Sequence, residues 1–153
     1  MMAEPFQIHR ARVNDLPGVA AIEQVSFPDP WDESTLAWVL EYCGDFFFVA
    51  SAGGAMAGFL AGACEDTGEQ VYGHVCNFAV APAFRKRGVG RQLVARVEQE
   101  FLVTGASAVQ LEVRASNRAA RAFYRRCGYQ DVFTIPGYYA NGEDAQMMMR
   151  WFR

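Results

Sequence analysis

Apolar and polar residues follow two different periods along this chain, and each change of period marks a boundary between a strand and a helix. Alternating or continuous apolar runs predict strands over residues 6–12, 46–51, 56–64 and 71–80. Gly53-Gly54 predicts a hairpin turn between the second and third of these strands. Pro82 ends the fourth strand, because proline has no N–H to donate to a sheet.

Two helices are predicted in the first third of the chain. Asn14 is expected to cap the first helix, with Pro17 tolerated in its first turn. Its core-facing positions are expected to be Leu16, Val19, Ala20, Ile22 and Val25. The proline-containing segment 27–31 breaks this helix. Asp32 is expected to cap a second helix, whose apolar positions are Leu36, Val39 and Leu40.

The second half of the chain reads as strand, helix, strand, helix. An amphipathic helix ended by Gly105 is predicted from apolar residues every four positions, at Val89, Leu93, Val97 and Phe101. A strand over 108–113 follows, then a helix capped by Asn117 and ending near Cys127, and finally strands near 129–135 and 144–151. Joining parallel strands through a helix requires a right-handed crossover. We therefore expect one α/β domain over residues 1–153, with a mixed, largely antiparallel sheet, a central parallel unit and helices on both faces.

Composition narrows the possible functions. Hydrophobic residues make up 52% of the 153 positions and charged residues 20%, which excludes a disordered chain. The net charge of -3 argues against nucleic-acid binding. No apolar run is long enough for a bilayer and no secretory signal begins the chain, so a cytoplasmic protein without membrane partners is expected. Cys43, Cys64, Cys76 and Cys127 lack zinc spacing, and we expect four buried thiols and no metal.

A basic segment with two glycines lies between the 71–80 strand and its helix. Its residues are Arg85, Lys86, Arg87, Gly88, Val89, Gly90 and Arg91. Ligands of such sheets bind where a parallel strand ends and a helix begins. Glycine lets backbone approach a ligand, and the N–H groups at a helix start favour phosphate. The segment predicts a site for a multiply anionic ligand, although an ordinary basic turn has the same composition. The two common nucleotide-binding fingerprints are absent.

Several motifs resemble one enzyme superfamily. Residues 78–90, FAVAPAFRKRGVG, resemble the R/Q-x-x-G-x-G/A acetyl-coenzyme A motif of the GNAT superfamily of N-acetyltransferases. Residues 111–117, LEVRASN, resemble its second motif and are similar to the ribosomal-protein alanine N-acetyltransferases, the RimI branch. Ile22-Glu23-Gln24 with Phe27 and Pro30-Trp31, and Tyr138-Tyr139 with the GEDA run at 142–145, resemble the same branch. The resemblance spans nearly the whole chain in the expected order.

The resemblance implies acetyl-CoA as co-substrate and assigns roles to individual residues. Backbone groups of Phe78, Ala79 and Val80 would hold the pantetheine arm and the thioester. The pyrophosphate would lie on residues 86–91, with Arg85 adding charge, and Asn117 would hydrogen-bond the cofactor. Glu112 would be the general base and Tyr124 the general acid of a direct transfer in a ternary complex. The expected substrate contacts are Phe27, Trp31, Tyr138 and Tyr139.

The chemistry of amide formation suits these residue types. The attacking amine must lose a proton, which a strand carboxylate such as Glu112 can accept. The phenol of Tyr124, with an ordinary pKa near ~10, can return a proton to the expelled thiolate. Each residue also has a structural interpretation: Glu112 as a solvated partner of Arg114, Tyr124 as a packing residue, and the loop aromatics as core cover. His74 could be a second proton relay, but a strand histidine at this position is expected to be structural.

Three functions remain open from the sequence. The first is acetylation of a protein's N-terminal α-amine, as in the ribosomal-protein alanine enzymes. The second is acetylation of a small amine or a lysine side chain, and the third is a non-catalytic CoA-binding regulatory module. Intact Glu112 and Tyr124 argue against the third. Phe27–Trp31 and Tyr138-Tyr139 favour the first, because they resemble the walls of a peptide cleft.

Overall fold

A seven-stranded mixed sheet and four α-helices make up residues 6–152, the part of the chain that the computed structural model describes. The strands are β1 (Gln7–Arg10), β2 (Phe47–Ala52), β3 (Ala55–Asp66), β4 (Val71–Val80), β5 (Ala108–Arg114), β6 (Gln130–Ile135) and β7 (Ala145–Trp151). The helices are α1 (Leu16–Ser26), α2 (Glu33–Cys43), α3 (Val89–Thr104) and α4 (Arg118–Arg126).

The strand order is β1-β2-β3-β4-β5-β7-β6. Strands β4 and β5 pair in parallel, with His74 opposite Gln110. The pairs β1–β2, β2–β3, β5–β7 and β6–β7 are antiparallel. The predicted α/β fold with a central parallel unit is therefore confirmed.

The chain divides into two compact units. The first comprises the residues up to Ala63 together with Asn77–Glu100, and the second comprises Cys64–Cys76 together with the residues from Phe101 onward. The core of the first unit consists of buried apolar side chains, among them Leu16, Val19, Ile22, Leu36, Phe47, Val49 and Phe59. A Cβ at Gly58 would lie 2.9 Å from the carbonyl oxygen of Ala79, so only glycine permits this approach of β3 to β4.

The predicted N-terminal cap is confirmed for α2 but not for α1. Asp32 caps α2 as predicted, because its Oδ1 accepts the backbone N–H of Thr35 at 2.8 Å. The predicted cap at Asn14 is wrong. Residues Val13–Asp15 form a 3₁₀ turn, α1 starts at Leu16, and the Asp15 carboxylate accepts the backbone N–H of Arg12 at 2.8 Å.

The buried face of α1 also departs from the prediction at one position. Leu16, Val19 and Ile22 are buried as expected, but Val25 is 66% exposed. Glu23, only 1% exposed, lies inside instead. Its carboxylate accepts two hydrogen bonds, and these compensate the burial of a polar group.

The predicted elements of the second half are confirmed with small shifts at their ends. Val89, Leu93, Val97 and Phe101 form the buried stripe of α3. Asn117 caps α4, since its Oδ1 accepts the backbone N–H of Ala120 at 3.1 Å. In the second unit, a Cβ at Gly73 would lie 2.4 Å from Cδ2 of Phe101, so the phenylalanine ring packs directly on the β4 backbone.

The cysteines do not follow the expectation of four buried thiols. Cys43, Cys64 and Cys127 are half-buried, and Cys76 is exposed. Cys76 faces outward because strand residues alternate between faces, and its neighbour Val75 takes the buried side of β4. No helix within residues 6–152 combines the length and apolar character needed to span a bilayer.

Candidate active site

The loop between β4 and α3 lies in the first unit and has a backbone shape suited to an anion. Residues Pro82–Phe84 form a 3₁₀ turn, and α3 starts at Val89. Lys86 and Gly88 have left-handed φ angles of 62° and 84°. Such alternation turns successive N–H groups toward one side, as in anion-binding nests, and the first N–H groups of a helix have no partner within it.

Positive charge surrounds this loop. The side chains of Arg85, Lys86, Arg87 and Arg91 are exposed. Arg85 Nε donates to the carbonyl of Val80 at 3.3 Å, and the Arg87 guanidinium lies 5.3 Å from the ring centroid of Phe84. A Cβ built on Gly88 would meet no atom within 4 Å, so a ligand could approach the backbone at this position. The residues present fit a pyrophosphate group.

The strand end that precedes the loop carries Phe78, Ala79 and Val80. Ala79 is buried and contributes to the core of the first unit, while its two neighbours are half-buried. Beyond them, the backbone N–H of Ala81 donates to the carbonyl of Ala57 at 2.8 Å. The three residues that were predicted to contact the cofactor thus belong to strand β4 rather than to the loop.

A buried carboxylate in the first unit was not predicted as part of a site. Oε2 of Glu23 accepts the backbone N–H of Trp31 at 2.8 Å, and Oε1 accepts the side-chain amide of Asn77. Oδ1 of Asn77 accepts the backbone N–H of Phe78 at 3.0 Å. Burial raises the pKa of Glu23, while the hydrogen bonds from Trp31 and Asn77 oppose that rise. Phe27 and Trp31, both predicted substrate contacts, pack half-buried against the same core.

The second unit contains a row of three charged side chains centred on His74. Its Nε2 lies 2.7 Å from Oε2 of Glu112, and its Nδ1 lies 2.9 Å from Oε1 of Glu65. Gln110 Nε2 donates to Oε2 of Glu65 at 3.0 Å. Glu112, the predicted base, is therefore paired with His74, while Arg114 forms an ion pair with Glu143. The expectation that His74 is only structural missed this contact.

Both neighbours of the His74 ring are carboxylates that accept hydrogen bonds. A neutral imidazole has one N–H and could donate to one of them, whereas the imidazolium donates to both. Burial lowers the pKa of His74, but hydrogen bonds and charge interactions with Cys76 and Glu112 outweigh it and raise the pKa to about 11. The charged imidazolium between two carboxylates leaves a net negative charge, which suits an ammonium ligand.

Tyr138 and Tyr139 lie in the loop between β6 and β7, also in the second unit. Their rings meet edge to face with centroids 5.0 Å apart. Burial and the charges of Glu112 and Cys76 raise the pKa of Tyr138. Burial, partly offset by Arg114, raises the pKa of Tyr139 to about 12, with Glu112 again among the charges that contribute. The structure therefore places both tyrosines within electrostatic reach of Glu112.

Glu143 fastens this loop to the turn after β5. Its carboxylate accepts from Arg114 Nη1 at 3.1 Å, and from both the backbone N–H and the hydroxyl of Ser116. These hydrogen bonds lower the pKa of Glu143. The Arg114 guanidinium in turn lies 4.0 Å from the ring centroid of Tyr139. The loop is thus held at its base, with Tyr139 packed on the cation that holds it.

Tyr124, the predicted acid, is 8% exposed on α4. Its ring packs edge to face on Phe123 and on Tyr129, at centroid distances of 5.4 and 5.9 Å. Burial, together with the charges of Cys127 and Tyr139, raises the pKa of Tyr124 well above its ordinary value. The phenol therefore stays protonated through the neutral range.

Asn117, the remaining predicted cofactor contact, belongs to the second unit and serves there as the cap of α4. Within residues 6–152 no group of three histidine, cysteine or acidic side chains could hold a metal ion, the row at His74 included.

Comparison with known proteins gives concordant matches. The model of the Acetyltransferase (GNAT) family matches residues 15–129. An uncharacterized N-acetyltransferase of Methanocaldococcus jannaschii is 33% identical over 94% of this chain and 90% of its own length. An N-alpha-acetyltransferase of Saccharolobus solfataricus is 29% identical over 95% of this chain and 92% of its own. The crystal structure of the ribosomal-protein alanine N-acetyltransferase from Escherichia coli superposes with a TM-score of 0.83 at 31% identity, covering 96% of this chain and 94% of that one.

Proposed function

Because this chain belongs to the GNAT family of acetyltransferases, we propose that it transfers the acetyl group of acetyl-CoA to the N-terminal α-amine of a protein. The observation that carries the proposal is the Glu65–His74–Glu112 row, whose net negative charge lies within electrostatic reach of Tyr138 and Tyr139. The similarity to an N-alpha-acetyltransferase and to a ribosomal-protein alanine N-acetyltransferase, both over nearly the whole chain, supports the same substrate class.

In this proposal the base is Glu112. An α-ammonium group titrates near ~7.7–8.0, whereas a lysine side chain titrates near ~10.4, so a carboxylate removes the α-amine proton more easily. His74 donates to Oε2 of Glu112 and fixes the orientation of that carboxylate. The fixed carboxylate then receives the amine proton as nitrogen attacks, directly or through one water.

Tyr124 is the proposed donor to the departing sulfur. A thiol titrates near ~8.5, far below the raised pKa of Tyr124, so complete transfer of the phenolic proton to a thiolate is uphill. A hydrogen bond from the phenol to the developing negative charge has no such penalty, and charge-assisted hydrogen bonds are strong. Tyr124 would thus act mainly by stabilising the leaving group through its hydrogen bond.

For acetyl-CoA, which supplies the activated acetyl thioester, the proposed site is the end of β4 and the loop that follows. Backbone groups of Phe78, Ala79 and Val80 would hold the pantetheine arm. Residues 86–91, with the start of α3, would bind the pyrophosphate through backbone N–H groups and basic side chains. Arg85 and Asn117 are proposed as further contacts.

The test is a substrate screen that measures release of free thiol from acetyl-CoA. One peptide begins with alanine and has its lysine blocked, and a matched peptide has a blocked α-amine and a free lysine. Spermidine serves as the small-amine arm. We expect the first peptide to be used at least about tenfold better than the others, as differential binding of the preferred amine requires.

Each outcome of the screen has a defined meaning. Equal rates on the two peptides would contradict specificity for the α-amine, and activity confined to spermidine would make the enzyme a small-amine acetyltransferase. A protein that binds acetyl-CoA by calorimetry but acetylates no amine would support the regulatory-module interpretation instead.

A further inference from the structure

Glu23 is an ionisable side chain in the interior of the first unit. It is 1% exposed, on the face of α1 that otherwise carries Leu16, Val19 and Ile22. Its two hydrogen-bond donors, the backbone of Trp31 and the side chain of Asn77, are both neutral groups. Since both groups donate, the ionised carboxylate matches them best, because both of its oxygens accept and neither carries an O–H.

A buried carboxylate is energetically unfavourable at this position. Removing a charge from water without an opposite charge beside it is costly, even where hydrogen bonds compensate part of the loss. An apolar residue would complete the stripe of α1 without that cost. Stability alone therefore gives no reason for a glutamate here.

The hydrogen bonds of Glu23 connect two segments that carry predicted ligand contacts, Trp31 for the substrate and Phe78 for the cofactor. Residues 27–31, between α1 and α2, contain Pro28 and Pro30, whose nitrogens carry no hydrogen. Trp31 is held to Glu23 through its backbone N–H. On the other side, the side-chain amide of Asn77 donates to the second carboxylate oxygen, and Oδ1 of Asn77 accepts the N–H of Phe78.

From this geometry we infer that Glu23 is a positioning residue: its buried carboxylate fixes the substrate-contacting segment at Trp31 to the strand at Asn77. The inference rests on the proposed function, together with the predicted contact of Trp31 with the N-terminal peptide. Glu23 itself touches no reacting atom. Its loss should therefore weaken peptide binding rather than the chemical step.

The test exploits the polarity of the Glu23–Asn77 hydrogen bond. In Glu23→Gln, one oxygen still accepts from Trp31, but the new amide faces the amide of Asn77, so that donor meets donor. In the double variant Glu23→Gln with Asn77→Asp, the introduced amide donates to the introduced carboxylate, and the second oxygen of that carboxylate accepts from Phe78. The double variant conserves the net charge and restores all three hydrogen bonds. Glu41→Gln, at an exposed position of α2, controls for loss of a negative charge.

Two readouts are needed. The first is KM for the N-terminal peptide, which should rise about tenfold in Glu23→Gln with kcat little changed, as loss of one buried hydrogen bond to a charged group predicts. The second is hydrogen exchange of the Trp31 amide by NMR, which should accelerate in the same variant. Both values should return toward wild type in the double variant and remain at wild type in Glu41→Gln.

A folded Glu23→Gln protein with wild-type KM and wild-type Trp31 exchange would overturn the inference. So would a double variant as impaired as the single one. The exchange measurement requires no substrate, so it decides the role of Glu23 even if the wild-type protein fails to acetylate peptides. That failure would overturn the proposed function instead.

Discussion

Nε2 of His74 lies 2.7 Å from Oε2 of Glu112, so a side chain of β4 and a side chain of the neighbouring parallel strand β5 form a half-buried ion pair. The pair depends on the parallel register, in which His74 is opposite Gln110 and Glu112 follows two residues later on the same face. A second carboxylate, that of Glu65, lies at the other ring nitrogen of His74. Protonation of His74 therefore affects both the stability of the protein and the proposed base, Glu112.

Replacing His74 should change the pH dependence of stability. The pKa of His74 is about 11 in the folded protein, against an ordinary value of 6.5. The contribution of protonated His74 to the stability of the fold is therefore complete below pH 6.5 and is lost as pH rises toward 11. The free energy of unfolding of wild type minus that of His74→Gln should therefore fall between about pH 6 and about pH 9. Urea unfolding at several pH values measures it.

His9→Gln is the control for this experiment, since the His9 ring contacts the backbone carbonyl of Arg10 rather than carboxylates. A difference for His74→Gln that stays constant with pH would contradict a protonated His74 between two carboxylates.

Removing the proposed base should slow turnover without weakening cofactor binding. Glu112→Gln should lower kcat by about a hundredfold, a typical contribution of general base catalysis, because the amide cannot accept the amine proton. The deficit should shrink as pH rises and free amine accumulates. Thiol release across a pH series, with acetyl-CoA affinity from calorimetry, measures both effects.

Glu65→Gln leaves Glu112 in place and should lower kcat less. Turnover of Glu112→Gln equal to wild type at all pH values would exclude this residue as the base.

A side chain at Gly88 should weaken acetyl-CoA binding beyond any effect on folding. Gly88→Ala imposes a left-handed φ of 84° on alanine and places a Cβ where backbone is proposed to approach pyrophosphate. Gly68→Ala is a matched control, because Gly68 has a φ of 87° and an equally open Cβ position in the β3–β4 turn.

Both glycine variants should lose about 1 kcal/mol of stability through backbone strain, but only Gly88→Ala should lose acetyl-CoA affinity. Thermal unfolding and calorimetry separate the two effects. Equal affinities in the two variants would remove the loop from the proposed cofactor site.

Tyr139→Phe should raise KM for the N-terminal peptide several-fold, by about the value of one hydrogen bond, while acetyl-CoA affinity stays the same. The ring should remain stacked on Arg114, so the loop fastened by Glu143 keeps its shape. Tyr42→Phe, at an exposed tyrosine of α2, is the control. A Tyr139→Phe enzyme whose peptide KM matches that control would remove the Tyr139 hydroxyl from substrate binding.

The helices and strands were predictable because their signals are local. The stripe from Val89 to Phe101 needs only a period of 3.6, and the caps at Asp32 and Asn117 act on N–H groups three residues away. The failed cap at Asn14 shows the limit, since the 3₁₀ turn ahead of α1 shifts the start by one residue.

The contacts of the site depend on partners distant in sequence. Hydropathy favours Val25 over Glu23 as a core residue. The hydrogen-bond donors that allow Glu23 to be buried belong to Trp31 and Asn77, which lie 8 and 54 residues away in the sequence. Alternation does place Glu65 and His74 on one face of a hairpin closed by the Thr67 N–H bond to Gln70, and that signal could have drawn attention to His74.

The register between β4 and β5 could not be predicted from alternation. No short-range pattern specifies that His74 lies opposite Gln110 across a parallel pair joined through a helix. The pairing of His74 with Glu112 therefore had to come from the structure.

Along β5, buried Leu111 and Val113 alternate with Gln110, Glu112 and Arg114. A slip of one residue against β4 or β7 would turn the carboxylate of Glu112 into the core and expose the apolar pair. A misregistered chain would thus lose its packing and its His74–Glu112 contact together. An assay that depends on that contact detects only molecules with the correct strand register. Specific activity should therefore also report the correctly folded fraction of a preparation.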